Sequence, residues 1–354
     1  MAKAIVISID AMGGDHGPSV AVPGVGIALE RLGGVPVRFL LHGDETRIRA
    51  ELAKCPSAAA ASDIRHTDTV IATDDKPAQA LRRGKGTSLW NAVEALKTGD
   101  AHAALSAGNT GALMAISKLL LRMVSAELDR PAIVASWPTL KGVTAVLDVG
   151  ANVSCDASQL VEFAIMGEAF HCAVHGSHKP TVGLLNVGSE EQKGHEEVRE
   201  AHRLLRETAL PIAYKGFVEG DDIAKGTVDV IVTDGFSGNV ALKTAEGMAR
   251  FFTTVMRDTF TSSLRAKLGA AIAMPALKKM RARMDPSSVN GGPLLGLNGI
   301  VVKSHGGADA KGFANAIVIA ANMAKSDYAH QIEGNMQRLA VELEKLKQPV
   351  EAAQ

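Results

Sequence analysis

The sequence predicts an α/β protein with a mostly parallel sheet and helices on both faces. Three observations predict it. Short apolar runs alternate with helical stretches along most of the 354 residues. The chain is 46 % hydrophobic but only 4 % aromatic, so Ala, Val, Leu and Ile must fill its core, which suits buried parallel strands. Several strands empty into small polar loops that run straight into a helix, which is where such folds keep their chemistry.

Ala4 to Ile9 reads as a strand and Pro18 to Leu32 as a helix. Val37 to Leu41 is a second strand, and Glu45 to Lys54 is helical. Val70 to Ala72 is a candidate third strand, Leu89 to Lys97 a helix, Ala103 to Ser106 a strand and Gly111 to Met123 a helix. Ile133 to Ser136 and Thr144 to Val149 read as a hairpin or neighbouring pair. Ala157 to Val174 is helical, Val182 to Val187 a strand and Glu196 to Thr208 a helix. Ala213 to Tyr214 and Val228 to Thr233 are strand-like, Ala241 to Phe260 is helical, and Gly312 to Lys347 is one long helix or two.

Residues 258–290 stand apart. No acid lies between Asp258 and Asp285, while Arg265, Lys267, Lys278, Lys279, Arg281 and Arg283 do. Leu264, Leu268 and Ile272 recur every four residues, and Leu277, Met280 and Met284 follow Pro275 at helical spacing. The pattern predicts two short amphipathic helices broken near Met274-Pro275. A basic amphipathic hairpin suits an anionic membrane surface or an acidic partner; a dimerisation or core hairpin with a solvated basic face is the alternative.

Lys+Arg and Asp+Glu both count 38, which argues against a nucleic-acid binder. Cys55, Cys155 and Cys172 fit no zinc spacing and read as small buried hydrophobes in a reducing compartment. The N-terminal residues lack a signal-peptide pattern, and no apolar run approaches the ~20 residues of a membrane span, so a cytoplasmic protein is expected.

Five loops carry the candidate chemistry. They hold Asp10, Gly13, Gly14, Asp15 and His16; Gly108 and Asn109; Asn152; Ser189 and Lys193; and Ser237, Gly238 and Asn239. Any one could be an ordinary turn or N-cap. Five strand-end loops on one edge would make a phosphate- or carboxylate-sized pocket. There is no G-x-G-x-x-G fingerprint, Walker lysine motif, G-x-S-x-G elbow or H-E-x-x-H. Cys155 lacks an evident base and reads poorly as a nucleophile.

Taken together, "DAMGGDHGP" (10–18), "LSAGNTGALM" (105–114), "DRPAI" (129–133), "LDVGAN" (147–152), "LLNVGSEEQKG" (184–194), "VTDGFSGNVALKT" (232–244) and "GPLLGLNGIVVKSHGGAD" (292–309) closely resemble the phosphate acyltransferases of bacterial phospholipid synthesis. The resemblance covers nearly the whole chain. It implies one catalytic domain over residues 1–354, with the 258–290 hairpin inside it. The implied fold is a three-layer αβα architecture related to phosphotransacetylase and isopropylmalate dehydrogenase.

It also implies that inorganic phosphate attacks the thioester of a long-chain acyl carrier protein, with no nicotinamide or metal. The acyl-phosphate product would pass to a membrane glycerol-3-phosphate acyltransferase, and the enzyme would be a homodimer peripherally associated with the membrane. Lys193 matches the family's catalytic lysine in N-V-G-[ST]-E-x-x-K-G, and Asn239 its second catalytic candidate. An ammonium at 193 can hold phosphate or offset charge on the thioester oxygen, and an amide at 239 can donate to the oxyanion. Gly108, Asn109, Asn152, Ser189, Ser237 and Gly238 form the expected phosphate and thioester shell, with Asp10, Gly13, Gly14, Asp15 and His305 placed near it. Glu190 and Glu191 either orient Lys193 or face water. Leu264, Arg265, Lys267, Leu268, Lys278, Lys279 and Arg281 are the expected membrane or carrier contact. The rivals are a dehydrogenase on the related fold, an acetyl-type phosphotransacetylase and a non-catalytic lipid-surface scaffold.

Overall fold

The computed structural model describes residues 4–283 and 286–347; Met284, Asp285 and the side chains of Arg281 and Arg283 lie outside what is described. The first half runs β1 (Ile5–Asp10), α1 (Pro18–Arg31), β2 (Val37–Gly43), α2 (Glu45–Leu52), α3 (Pro56–Ala61), β3 (Ser62–His66), α4 (Pro77–Arg83), α5 (Ser88–Lys97), β4 (Ala103–Ser106) and α6 (Thr110–Leu121). It continues through β5 (Ala132–Pro138), β6 (Val143–Leu147), α7 (Ala157–His175), β7 (Thr181–Leu185), α8 (Glu196–Glu207), β8 (Ala213–Val218), α9 (Gly220–Lys225) and β9 (Val230–Val232). The C-terminal part holds α10 (Gly235–Thr261), α11 (Leu264–Arg283), β10 (Gly292–Leu295), β11 (Ile300–Lys303), α12 (Ala310–Lys325) and α13 (Tyr328–Lys347).

Eleven strands form one sheet in the order β3-β2-β1-β4-β11-β10-β5-β6-β9-β7-β8. Alternate strand residues serve opposite faces. In β4, Ala103 and Leu105 join a cluster with Val22 of α1 and Ile317 of α12, while Ala104 joins Val93 of α5 and Ile116 of α6. In β6, Ala145 and Leu147 pack with Phe163 of α7, and Val146 with Ile223 of α9. The outcome is the three-layer αβα fold.

Local chemistry sets the helix ends. The side chains of Asp44, Thr87, Asn109, Asp156, Asp234 and Asp309 each accept a backbone N–H three residues on. Asp156 and Gln159 complete a capping box, and Gly176 closes α7 in the left-handed conformation.

Several expectations need correction. Val70 to Ala72 is not a strand; β3 is instead Ser62–His66, paired with β2. The helical hairpin does not break at Met274-Pro275: α11 runs through Pro275, and the break is at Ser262-Ser263. There Ser262 Oγ donates back to Thr259 O at 2.8 Å, and Ser263 Oγ caps α11 by accepting from Ala266 N at 3.1 Å. α10 begins at Gly235, six residues before the apolar run suggests, because Asp234 caps it.

The five loops also do not share one edge. β10 is antiparallel to both β11 and β5, and β6 is antiparallel to β5. The parallel strands β6, β9, β7 and β8 therefore point opposite to the parallel set β1, β2, β3, β4 and β11. The loops after β1 and β4 leave one edge; those after β6, β9 and β7 leave the other. Three strands separate β4 from β6, roughly 19 Å at about 4.8 Å per step.

Candidate active site

The edge carrying Lys193 and Asn239 is built on three adjacent strands. β9 lies between β6 and β7, so the loop holding Asn152 (after β6), the start of α10 with Ser237, Gly238 and Asn239 (after β9), and the loop holding Ser189 and Lys193 (after β7) are neighbours.

Asp148, one residue past β6, organises this edge. Its carboxylate accepts from Ile133 N at 2.9 Å, Gly150 N at 3.3 Å, Ala151 N at 3.1 Å, Asn152 N at 2.6 Å and Asn152 Nδ2 at 3.0 Å. Burial pushes its pKa above the usual carboxylate value, and these donors pull it back. Asn152 is buried; its Nδ2 also donates to Pro131 O at 2.9 Å, and its carbonyl accepts from Gly235 N at 2.7 Å. A Cβ on Gly238 would overlap Asp148 O, so glycine there lets α10 start hard against this turn. Ser237 is tied to Asp234 through both its N–H (2.8 Å) and its Oγ (2.9 Å).

Asn239 is exposed, and its Nδ2 donates to Val149 O at 3.2 Å. Lys193 is exposed, and among the described residues its Nζ has no ion-pair partner. Glu191 pairs with Arg206 of α8 at 2.8 Å, so it faces α8 rather than orienting Lys193. Glu190 Oε2 and the Lys193 stem both crowd Gly188. Ser189 is exposed. Cys155 borders this edge, but burial pushes its thiol pKa up to about 12, so it stays protonated at neutral pH.

The opposite edge is closed on itself. Asp10 is buried and accepts from Ser106 Oγ at 2.7 Å, which in turn accepts from Gly108 N at 2.9 Å. A Cβ on Gly13 would stand 2.6 Å from Asp10 Oδ2 and 2.7 Å from Gly108 N. Gly14 packs against Ala107, and Asp15 N donates to Gly306 O at 2.9 Å. Lys303, which sequence reasoning did not single out, donates from Nζ to Ala107 O at 3.2 Å and to Ser304 O. Burial lowers its pKa to about 8, against the pull of Asp10 and Asp15. Asn109 caps α6 through Oδ1 and holds Thr73 O (2.9 Å) and Asp75 O (2.8 Å) through Nδ2. His305 Nδ1 accepts from Gly307 N at 3.1 Å. The cavity lined by Gly13, His16, Ala107 and His305 is about 10 Å³, the size of one water.

The structure thus brings together Lys193, Asn239, Asn152, Ser189, Ser237 and Gly238, and places Asp10, Gly13, Gly14, Asp15, Gly108, Asn109 and His305 apart from them. It adds two residues that sequence reasoning missed, Asp148 and Asn186, whose Nδ2 donates to Lys193 O at 3.1 Å. An Asp directly after a strand, with Gly two residues on, is the signal of a side chain that closes a turn.

The hairpin residues Leu264, Arg265, Lys267, Leu268, Lys278 and Lys279 are all exposed. Ile272 is 84 % exposed and Phe251 on α10 is 62 % exposed, so both helices of the hairpin present apolar side chains that the described residues leave largely uncovered.

The fold is a three-layer α/β architecture, and this edge presents an exposed lysine and an exposed amide after neighbouring strands. A family model described as "Fatty acid synthesis protein" matches residues 5–331. The chain is 70 % identical over 339 residues to the phosphate acyltransferase of Caulobacter vibrioides, covering 96 % of this chain and 93 % of that one. It is 63 % identical over 343 residues to the phosphate acyltransferase of Phenylobacterium zucineum, covering 97 % of each. Among solved structures it resembles the EutD phosphotransacetylase from Staphylococcus aureus, with a TM-score of 0.58, 15 % identity and coverage of 91 % and 94 % of the two chains. A phosphotransacetylase from Streptococcus pyogenes gives the same TM-score at 18 % identity, covering 92 % and 95 %. The chain belongs to the phosphate acyltransferase family and is an acyltransferase enzyme.

Proposed function

We propose that the enzyme transfers a long-chain fatty acyl group from the thioester of acyl carrier protein to inorganic phosphate, giving an acyl-phosphate for glycerol-3-phosphate acylation in phospholipid synthesis. The observation that carries this is that Lys193, exposed and without an ion-pair partner among the described residues, and Asn239, exposed at the start of α10, lie in the segments that follow the adjacent strands β7 and β9. A phosphate oxygen attacks the thioester carbonyl carbon, the carbonyl oxygen takes the electron pair, and collapse expels the carrier thiolate, which then takes a proton. Lys193 supplies positive charge to phosphate and to the developing oxyanion, and Asn239 supplies N–H donors; Asn152, Ser189, Ser237 and Gly238 shape the surrounding loops. Phosphate is itself the nucleophile, which agrees with a Cys155 that stays protonated. Rate enhancement then comes from orientation, up to ~7–11 kcal/mol, and from electrostatics.

The hairpin fits this chemistry. Leu264, Leu268 and Ile272 offer exposed apolar side chains, and Arg265, Lys267, Lys278 and Lys279 offer exposed positive charge. In this reading the hairpin rests on the anionic cytoplasmic membrane surface, meets the carrier and delivers product to a membrane glycerol-3-phosphate acyltransferase. The α10 arm, with Phe251 and Val255 exposed, pairs two copies into a homodimer.

Palmitoyl-carrier and acetyl-CoA, each supplied with inorganic phosphate, test the substrate assignment, with hydroxylamine trapping the acyl-phosphate. Phosphate-dependent palmitoyl hydroxamate with little acetyl product supports the proposal. Preferential turnover of acetyl-CoA contradicts it.

A further inference from the structure

Among the described residues the Lys193 ammonium has no ion-pair partner, but its backbone is held. Lys193 N donates to Glu190 O at 3.0 Å, closing a tight turn. Its carbonyl accepts from Asn186 Nδ2 at 3.1 Å, seven residues back. Asn186 is buried at the end of β7, and its own N–H donates to Val218 O of β8 at 2.8 Å. Its side chain is thus rooted in the sheet and reaches out to the lysine. Gly194 follows with φ +88°, and a Cβ there would overlap Asn186 Oδ1. Glycine at 194 is what lets the chain fold this closely over the amide.

We propose that Asn186 is a positioning residue for Lys193. It fixes the lysine's backbone to the sheet while leaving Nζ free to meet an incoming anion. This rests on Lys193 acting in the reaction proposed above. An amide suits the position and a carboxylate does not: the lysine carbonyl requires a donor, and an aspartate in place of Asn186 would oppose it with an acceptor. A displacement of about 1 Å in a reacting group costs on the order of 100-fold in rate.

The test measures phosphate-dependent thioester loss from palmitoyl-carrier by full-length Asn186→Ala, the isosteric Asn186→Asp, and Gly194→Ala, which crowds the same amide from the other side. Each is also combined with Lys193→Ala, and melting curves establish folding. The expected result is a fall in kcat of roughly 10- to 100-fold, with a smaller change in KM for the acyl carrier. On the Lys193→Ala background the Asn186 substitutions should cause no further loss, because coupled residues are not additive. Asn186 variants that fold and keep kcat within about twofold of wild type overturn the assignment. So does an undiminished loss on the Lys193→Ala background, which marks a general structural role. Full activity in Lys193→Ala alone overturns the reaction site, and this assignment with it; loss at Lys193 with none at Asn186 overturns this assignment only.

Discussion

Asn239 donates from Nδ2 to the carbonyl oxygen of Val149 at 3.2 Å, joining the first turns of α10 to the loop that Asp148 organises. One amide hydrogen aims the side chain and the other is left for a ligand. Asn239→Asp keeps the shape but removes both donors and sets an acceptor against Val149 O. Its kcat should fall by about 100- to 1,000-fold, as for removal of a single oxyanion donor, while the melting temperature moves little. Steady-state kinetics and thermal melting on the same preparation check this.

Asp148 gathers donors from Ile133, Gly150, Ala151 and Asn152. Asp148→Ala leaves these donors unpaired, and the backbone N–H of buried Asn152 among them, at about 1–3 kcal/mol for each buried group. Denaturant unfolding should show a loss of about 3 kcal/mol or more. Gly238→Ala should damage the same junction from the other side, since its Cβ would overlap the Asp148 carbonyl oxygen. Wild-type stability in both variants would remove Asp148 from the account.

Glu162 lies buried in α7, and burial, reinforced by the charges of Asp156 and Asp129, pushes its pKa up to about 7 from 4.5. A raised carboxyl binds a proton more tightly in the folded state than in the unfolded one. Stability therefore falls as pH rises from about 4.5 to 7, and the full penalty stands above 7. Glu162→Gln should be more stable than wild type by about 1–3 kcal/mol at about pH 8, at ~1.36 kcal/mol per pKa unit. At about pH 4 the gain should vanish. Unfolding titrations at the two pH values measure it, and a gain independent of pH would show that charge is not its cause.

Membrane contact through the hairpin predicts sedimentation of the protein with anionic vesicles. Leu268→Asp combined with Ile272→Asp should abolish it, by removing apolar contact and adding repulsion. Lys278→Glu combined with Lys279→Glu should weaken it at low salt and less so at high salt. Binding to neutral vesicles as strong as to anionic ones would contradict the electrostatic part.

Much of this fold was legible because its signals are local. The apolar run Val182 to Val187 emptying into "GSEEQKG" placed Lys193 at a strand end, and the helical stretches Ala157 to Val174 and Gly312 to Lys347 marked α7 and the α12–α13 pair. Signals failed where tertiary context decided. Pro275 reads as a break, yet the exposed helix α11 carries it and the two serines at 262 and 263 make the turn. Gly292–Leu295 has no element assigned to it from the sequence, yet it is the antiparallel strand that helps reverse the sheet. That reversal splits the five loops between two edges, and no single-loop motif could reveal it. Asp148 and Asn186 were passed over because the bonds that root them in the sheet, from Ile133 N to Asp148 and from Asn186 N to Val218 O, join groups that become neighbours only after folding.

The most direct measurement is acyl-phosphate formation from palmitoyl-carrier and inorganic phosphate by wild type, Lys193→Ala and Asn239→Ala. The account predicts phosphate-dependent product from wild type and a loss of about 100-fold or more in each folded variant. Product formation at the wild-type rate by Lys193→Ala, or none from the wild type with any long-chain acyl carrier, would contradict it.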